Sequence, residues 1–121
     1  AEQANLRAAF RWARASGQHA TALQLATGVW RFHYHYSQGS TRAGLEQLEE
    51  ALADREQAPL ELQCHALRAA GTLAGGLNDY ARARRWLEDA VAVGWRLGDT
   101  RALQMALTNF GYALLEQGEL E

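Results

Sequence analysis

The stretch NDYARARRWLEDAVA, from Asn78 to Ala92, decides the fold, because its pattern has already occurred once in the chain. At an offset of 39 residues upstream stands GSTRAGLEQLEEALA, from Gly39 to Ala53, and Leu48, Glu49, Ala51 and Ala53 match Leu87, Glu88, Ala90 and Ala92. The preceding segment repeats as well: Leu67, Gly71 and Ala74 recur 40 residues later as Leu107, Gly111 and Leu114. A period of this size predicts stacked supersecondary units, none of which can bury its apolar face alone.

Each unit is expected to hold two antiparallel helices joined by a tight turn. The turn positions carry residue types that tolerate the left-handed backbone at the end of a helix: Gly39, Asn78 and Gly118. The expected N-cap residues of the following helices are Ser40, Asp79 and Asp99. Pro59 stands where a helix begins. Leucines at i, i+3 and i+7 (45, 48 and 52) follow the spacing of an amphipathic helix.

The predicted fold is all-α, a right-handed superhelix of antiparallel helix pairs, which is an α-solenoid of about six helices. We place helices at about 2–15, 19–37, 41–55, 60–76, 80–97 and 100–117. Residues 1–121 form one domain, with an entry helix followed by repeat units at about 19–55, 60–97 and 100–121, the last truncated. Because the chain opens at Ala1 without a Met, we expect a fragment of a longer protein.

The segment WRFHYHY, residues 30–36, alternates aromatic and polar residues at a period of 2, which is a strand signal. The repeat register places it in the first helix of a pair, and we therefore favour a helix. Two interpretations of its aromatic side chains stay open. They fill the core between the entry helix and the first pair, or some of them face a groove or a partner, where Tyr and Trp are favoured anchors.

Small residues at matching helical positions predict close approach of neighbouring helices: Gly71, Ala83, Ala90 and Gly111. A glycine inside a helix costs roughly 1 kcal/mol relative to alanine. Its occurrence at two equivalent positions indicates that close packing is needed at both.

Composition narrows the class of protein. Apolar residues make up 48% of the chain, charged residues 21%, and the net charge is −2. No basic stripe exists to bind nucleic acid directly, and no apolar run is long enough for a membrane span. The single cysteine, Cys64, lies in a helical apolar pattern and is expected to be a buried, inert thiol. These features fit a soluble chain in a reducing cytoplasm.

The middle unit resembles the tetratricopeptide repeat through Leu67, Gly71, Asn78-Asp79-Tyr80, Ala83, Leu87 and Ala90, and the last unit through Leu107, Gly111, Leu114 and Gly118. The period of 39–40 is longer than the usual 34 of that family. Longer units of this sort, with an entry segment like Gln3 to Ala13, resemble the helical repeat regions of bacterial signal-transduction ATPases that regulate transcription (LuxR/AfsR-like). In that family the array follows a nucleotide-binding module, and many members also carry a DNA-binding domain.

Residues for catalysis or metal binding are not grouped at useful spacings. His33 and His35 are two apart, which on a helix points them away from each other, whereas metal pairs prefer i,i+3 or i,i+4. The carboxylate pairs Glu49-Glu50 and Glu88-Asp89 are expected on the outward face of second helices, as solvated charge. No phosphate-binding GxxxxGK[ST] loop occurs. We therefore predict no enzyme activity, no metal and no cofactor.

Ligand binding is expected on the concave surface of the superhelix, which the first helix of each pair lines. The groove-facing candidates are His33 and Tyr36 in the first unit, His65, Arg68 and Thr72 in the middle unit, and Met105, Thr108, Asn109 and Tyr112 in the last.

The resemblance implies a module of a larger cytoplasmic regulator whose groove binds a protein, a peptide or a small effector. Nucleic acid would then be bound only through other domains, and no membrane is involved. The alternative is a structural spacer or self-association scaffold without a ligand. That alternative predicts a homodimer through the C-terminal helix, whose apolar face is left open.

Overall fold

A computed structural model describes residues 2–28 and 38–116, and this part of the chain forms six α-helices and no strands. They are α1 (Glu2–Ala15), α2 (His19–Gly28), α3 (Gln38–Leu52), α4 (Leu60–Gly76), α5 (Tyr80–Leu97) and α6 (Thr100–Glu116). A short 3-10 helix, Arg55–Gln57, connects α3 to α4. The predicted all-α class and helix count are confirmed.

The helix ends around α4, α5 and α6 follow the local signals in the sequence. Pro59 directly precedes α4. Asn78 has φ 63°, the left-handed conformation expected of it. Asp79 then caps α5 by accepting a hydrogen bond from the backbone N–H of Arg82 at 3.2 Å. Asp99 accepts from the N–H groups of residues 101 and 102 at 2.9 and 3.2 Å. These carboxylates satisfy donors that the first turn of a helix leaves unpaired.

The start of α3 differs from the prediction. Gly39 and Ser40 lie inside the helix, which begins at Gln38, so Gly39 is not a turn residue and Ser40 is not the cap of a helix starting at 41. The helix also ends at Leu52, ahead of the predicted 55, where a separate 3-10 helix follows. A glycine between two helical segments permits a turn without requiring one, because it also adopts helical backbone angles. Gly118 and residues 29–37 lie outside the described residues.

One core runs through the array from α1 to α6. Its largest fully buried side chains come from α2, α3 and α4: Leu23, Leu45, Leu48, Leu52, Leu67 and Leu73. Phe10 of α1 and Ala106 of α6 extend the same core to both ends. The first helices of successive units contact each other, α2 against α4 and α4 against α6, and each second helix packs beside its first helix. This arrangement aligns one face of α2, α4 and α6.

Gly71 provides the close approach predicted for it, and Gly111 does not. A Cβ at Gly71 would lie 2.5 Å from Cγ of Leu87, so α4 and α5 touch through this glycine. A Cβ at Gly111 would meet no atom within 4 Å. The prediction for Gly111 is therefore wrong within the described chain, because no helix covers that side of α6. Gly94 makes a similar approach instead, its added Cβ lying 3.2 Å from Cα of Leu103.

Polar contacts between second helices change the interpretation of Glu49. This carboxylate accepts a hydrogen bond from the Trp86 indole Nε1 at 2.7 Å, and Arg82 Nε lies 3.5 Å from it. Arg55 and Arg85 lie over the Trp86 ring, with their guanidinium carbons 5.9 and 5.8 Å from its centroid. Glu49 is thus a link between α3 and α5 and not a solvated charge.

Candidate functional site

Seven of the nine predicted binding residues lie in the described chain, on α4 and α6. We call this set the first-helix face: His65, Arg68, Thr72, Met105, Thr108, Asn109 and Tyr112. His33 and Tyr36 lie outside the described residues. Within the set, residues 65, 68 and 72 correspond to 105, 108 and 112 at an offset of 40. The face is therefore built from the same three helical positions in two consecutive units.

Arg68 and Asn109 are brought into direct contact. Arg68 Nε donates a hydrogen bond to Asn109 Oδ1 at 3.0 Å, and both side chains are partly buried. The contact joins α4 to α6, and it fixes the guanidinium beside the α6 positions 105 and 112.

The apolar members of the face are unusually open to solvent. Tyr112 is 62% exposed and Met105 is 38% exposed. They stand seven residues apart, two helical turns, and therefore on the same side of α6. Large exposed side chains of these types are the usual anchors of protein interfaces. His65 is also exposed on the neighbouring helix.

The two threonines of the first-helix face offer a ligand fewer hydrogen-bonding groups than Arg68 does. Thr72 Oγ1 donates to the backbone carbonyl of Arg68 at 2.9 Å, and Thr108 Oγ1 donates to that of Gln104 at 2.8 Å. Each hydroxyl proton is thus used within its own helix, which leaves the oxygen as an acceptor. Thr72 and Thr108 are therefore small polar members of the first-helix face, next to Arg68 and Tyr112.

The register extends the face to two residues that the sequence analysis missed. Subtracting 40 from positions 65 and 68 gives Leu25 and Gly28 of α2. Leu25 is half-buried, Gly28 is exposed, and a Cβ at Gly28 would meet nothing within 4 Å. The buried residues Ala26 and Thr27 match buried Ala66 and Leu67 at the same offset, which supports the alignment. The period of 40, extended one unit upstream, is the sequence signal that identifies them.

Carboxylates are scarce along the first helices. In the described side chains of α2, α4 and α6 the sole acidic residue is Glu61, while Arg68 and Arg101 are basic. The acidic residues of the repeats are concentrated on α3 and α5. The first-helix face therefore combines a cation, an amide and a phenol with no acidic group among its members.

Cys64 lies beneath this surface, buried between α4 and α5. Its thiol is 3.7 Å from the backbone carbonyl of Ala90. Burial raises the pKa of the Cys64 thiol, against the lowering effect of the nearby Arg68 charge. A raised pKa keeps the sulfur as a neutral thiol, which is a poor nucleophile. The expected buried position of Cys64 is confirmed.

A cavity of about 320 Å³ opens elsewhere, along residues 53–57 at the connection between α3 and α4. None of the predicted binding residues lines it. Its Asp54 is already paired with Arg14, whose Nη2 lies 3.1 Å from Oδ2, and His19 Nδ1 lies 3.2 Å from the same oxygen. We do not place the binding surface there, because its central carboxylate is occupied by side chains of α1 and α2.

Comparisons of the chain with models of protein families, with curated proteins and with solved structures found no match. Among the described residues, no group of three or more His, Cys, Asp or Glu side chains is arranged to hold a metal ion. No helix in that part of the chain is long and apolar enough to cross a bilayer.

Proposed function

We propose that this chain is a tetratricopeptide-like module of a larger cytoplasmic regulator, a signal-transduction ATPase that controls transcription, and that its first-helix face binds a protein, a peptide or a small effector. The observation that carries the binding role is the exposure of Tyr112 and Met105 beside the Arg68–Asn109 contact. Exposed apolar anchors next to a positioned cation favour a segment that has both an apolar side chain and an acceptor group.

The regulatory role rests on the way the face is assembled. It spans successive helical units, so a ligand that contacts both α4 and α6 favours one relative placement of those units over others. Such a ligand shifts the conformational equilibrium by its difference in affinity for the two arrangements. A neighbouring ATPase module would sense that shift through the helices to which it is joined. The superhelical form of the array is part of the same proposal.

The binding role is tested with a peptide library displayed on phage and selected on the immobilised chain. Selected peptides are synthesised and titrated against the wild type, Tyr112→Ala and Trp95→Ala. Trp95 is 69% exposed and lies on α5, so it is a matched control for the loss of an exposed aromatic ring. We expect Tyr112→Ala to weaken binding at least tenfold and Trp95→Ala to leave it unchanged. Peptides that are indifferent to Tyr112→Ala would place the binding surface elsewhere.

The parent protein is tested separately, with an antibody raised to this chain and a blot of the source cells. A band on the order of 60–130 kDa would fit a multidomain regulator, at about 100–200 residues per domain. ATP and DNA binding would then be measured on that protein. A band of about 15–40 kDa would argue for a stand-alone adaptor.

A self-association scaffold is the second candidate, because Leu107 and Leu115 of α6 are 47% and 57% exposed. This candidate predicts a homodimer through α6. Light scattering across a concentration series distinguishes the two functions: a mass that doubles with concentration, and returns to the monomer value in Leu107→Glu, supports the scaffold.

A further inference from the structure

Two rows of side chains cross the first-helix face from α2 through α4 to α6. The period of 40 aligns Leu25, His65 and Met105 in the first row, and Gly28, Arg68 and Thr108 in the second. Both α2 and α6 lie against α4, so the middle residue of each row has a first helix on either side. With both neighbouring helices in place, His65 is still exposed and Arg68 is half-buried. The centre of the face is therefore open to a ligand between its two flanking helices.

Arg68 stands between two small residues in its row. A Cβ at Gly28 would meet no atom within 4 Å, and Thr108 is an exposed small side chain. Neither of them is long enough to cover the guanidinium. Asn109 Oδ1 accepts a hydrogen bond from Arg68 Nε at 3.0 Å, which orients the guanidinium from the α6 side. The second row thus holds an oriented cation at its centre, with room for a ligand chain on both sides.

The nearby acidic residues stand apart from this cation or serve the helix ends. Glu61 lies seven residues before Arg68 on α4, which is about 10 Å along the helix axis. Asp99, just before α6, accepts hydrogen bonds from the backbone N–H groups of residues 101 and 102 and so caps that helix. No member of the first-helix face is acidic. The charge on the face therefore favours an acidic ligand.

We propose that the first-helix face selects an extended peptide segment with one acidic side chain at its centre and an apolar side chain three residues to each side. The central carboxylate pairs with the Arg68 guanidinium in a charge-assisted hydrogen bond. The two apolar side chains contact Leu25 of α2 and Met105 of α6, the apolar ends of the first row. This proposal rests on the binding function proposed above and names the segment that the face recognises.

The spacing of three residues follows from the distance between helices. The axes of packed helices lie about 8–10 Å apart, so the face from α2 to α6 spans about 16–20 Å, which suits a peptide better than a single small anion. A polyproline II segment rises about 3.1 Å per residue with three residues per turn, so its residues i and i+3 share a side about 9 Å apart. A segment crossing the helices at right angles then places one such residue over each helix. Strand spacings of two or four residues, about 7 or 13 Å, match the helices less well.

The test starts from the peptides that the phage selection recovers, which we expect to share the pattern apolar-x-x-acidic-x-x-apolar. One of them is labelled with fluorescein, and its anisotropy is measured as the chain is titrated in. We expect affinity to fall at least tenfold when the central acidic residue of the peptide is replaced by its amide, a change that leaves the protein intact. Arg68→Gln in the chain should cause a similar loss. The two changes together should cost no more than either alone, because they remove the same ion pair.

Arg96→Gln is the matched control, since Arg96 is an exposed arginine of α5, away from the first helices. We expect it to leave binding unchanged, and circular dichroism confirms that both variants fold. Peptides that need Tyr112 but lack the acidic residue, use another spacing or bind Arg68→Gln equally well would overturn this proposal and leave the binding function standing. Peptides indifferent to both Tyr112→Ala and Arg68→Gln, or a selection that recovers none, would overturn both.

Discussion

Arg68 Nε donates a hydrogen bond to Asn109 Oδ1 across 41 positions of sequence, at 3.0 Å. The two residues belong to the first helices of consecutive units, so the bond crosses from one unit to the next. It also occupies the surface on which Met105 and Tyr112 are exposed. A contact with this placement both stabilises the stack and orients the cation of the candidate binding surface.

Asn109→Ala is expected to lower the free energy of unfolding by about 1 kcal/mol, since it removes a partly buried hydrogen bond to a charged donor. Urea denaturation measures the change. Thr108→Ala is the control, because Thr108 is exposed and bonds only to its own helix in the contacts described above. We expect the control to stay within about 0.5 kcal/mol of the wild type. Equal effects of the two substitutions would mean that the Arg68–Asn109 contact contributes nothing specific.

Gly71→Ala and Gly111→Ala are expected to change stability in opposite directions. At Gly71 the added methyl would meet the 2%-exposed Leu87 at 2.5 Å, and overpacking costs typically 1–3 kcal/mol. Because two Leu87 carbons would lie at 2.5 and 2.7 Å, we expect a cost in the upper part of that range. It then exceeds the helix-propensity gain of roughly 1 kcal/mol, and the variant loses stability. At Gly111 there is no clash, and the chain gains about 0.5–1 kcal/mol. Thermal unfolding of both variants checks the signs, and a stabilised Gly71→Ala would contradict the close α4–α5 contact.

The Glu49–Trp86 bond is expected to show coupling in a double-mutant cycle. Trp86→Phe keeps an aromatic ring and removes the N–H that Glu49 accepts at 2.7 Å, and Glu49→Gln removes the charge. We expect a coupling free energy of about 1 kcal/mol, since the pair is partly buried and charge-assisted. Glu46→Gln, at an exposed position of the same helix, replaces Glu49→Gln in a control cycle. A control coupling as large as the test coupling would argue against a specific bond.

Cys64 is expected to react slowly with iodoacetamide in the folded chain and rapidly after unfolding in urea. Burial raises the pKa of its thiol above the ordinary value of 9.0, and the thiolate is the reactive form. The unfolded chain loses its thiol proton at lower pH than the folded chain does. The contribution of Cys64 to stability is therefore constant below about pH 9 and declines as the pH rises above it. Cys64→Ala should lack that decline; a wild-type stability profile identical to that of the variant would refute the argument.

Several features could be predicted from the sequence because their causes are local. The turn at Asn78 and the caps at Asp79 and Asp99 depend on backbone angles and on hydrogen bonds within a few residues. The end of α4 and the starts of α5 and α6 follow from them. Gly39 shows the limit of this reasoning, since a glycine fits a helix as well as a turn and its neighbours decide which it adopts.

The repeat by itself determined which residues occupy equivalent positions on successive first helices: 65 and 105, 68 and 108, and 72 and 112. Tertiary structure decided what each position contacts. Glu49 accepts a hydrogen bond from Trp86, which lies on another helix and outside any sequence register. Leu67 and Leu107 make the point most directly, for they match in sequence and differ from 0% to 47% in exposure. The periodicity of a helix fixes the direction of a side chain, but burial depends on whether another helix lies in that direction.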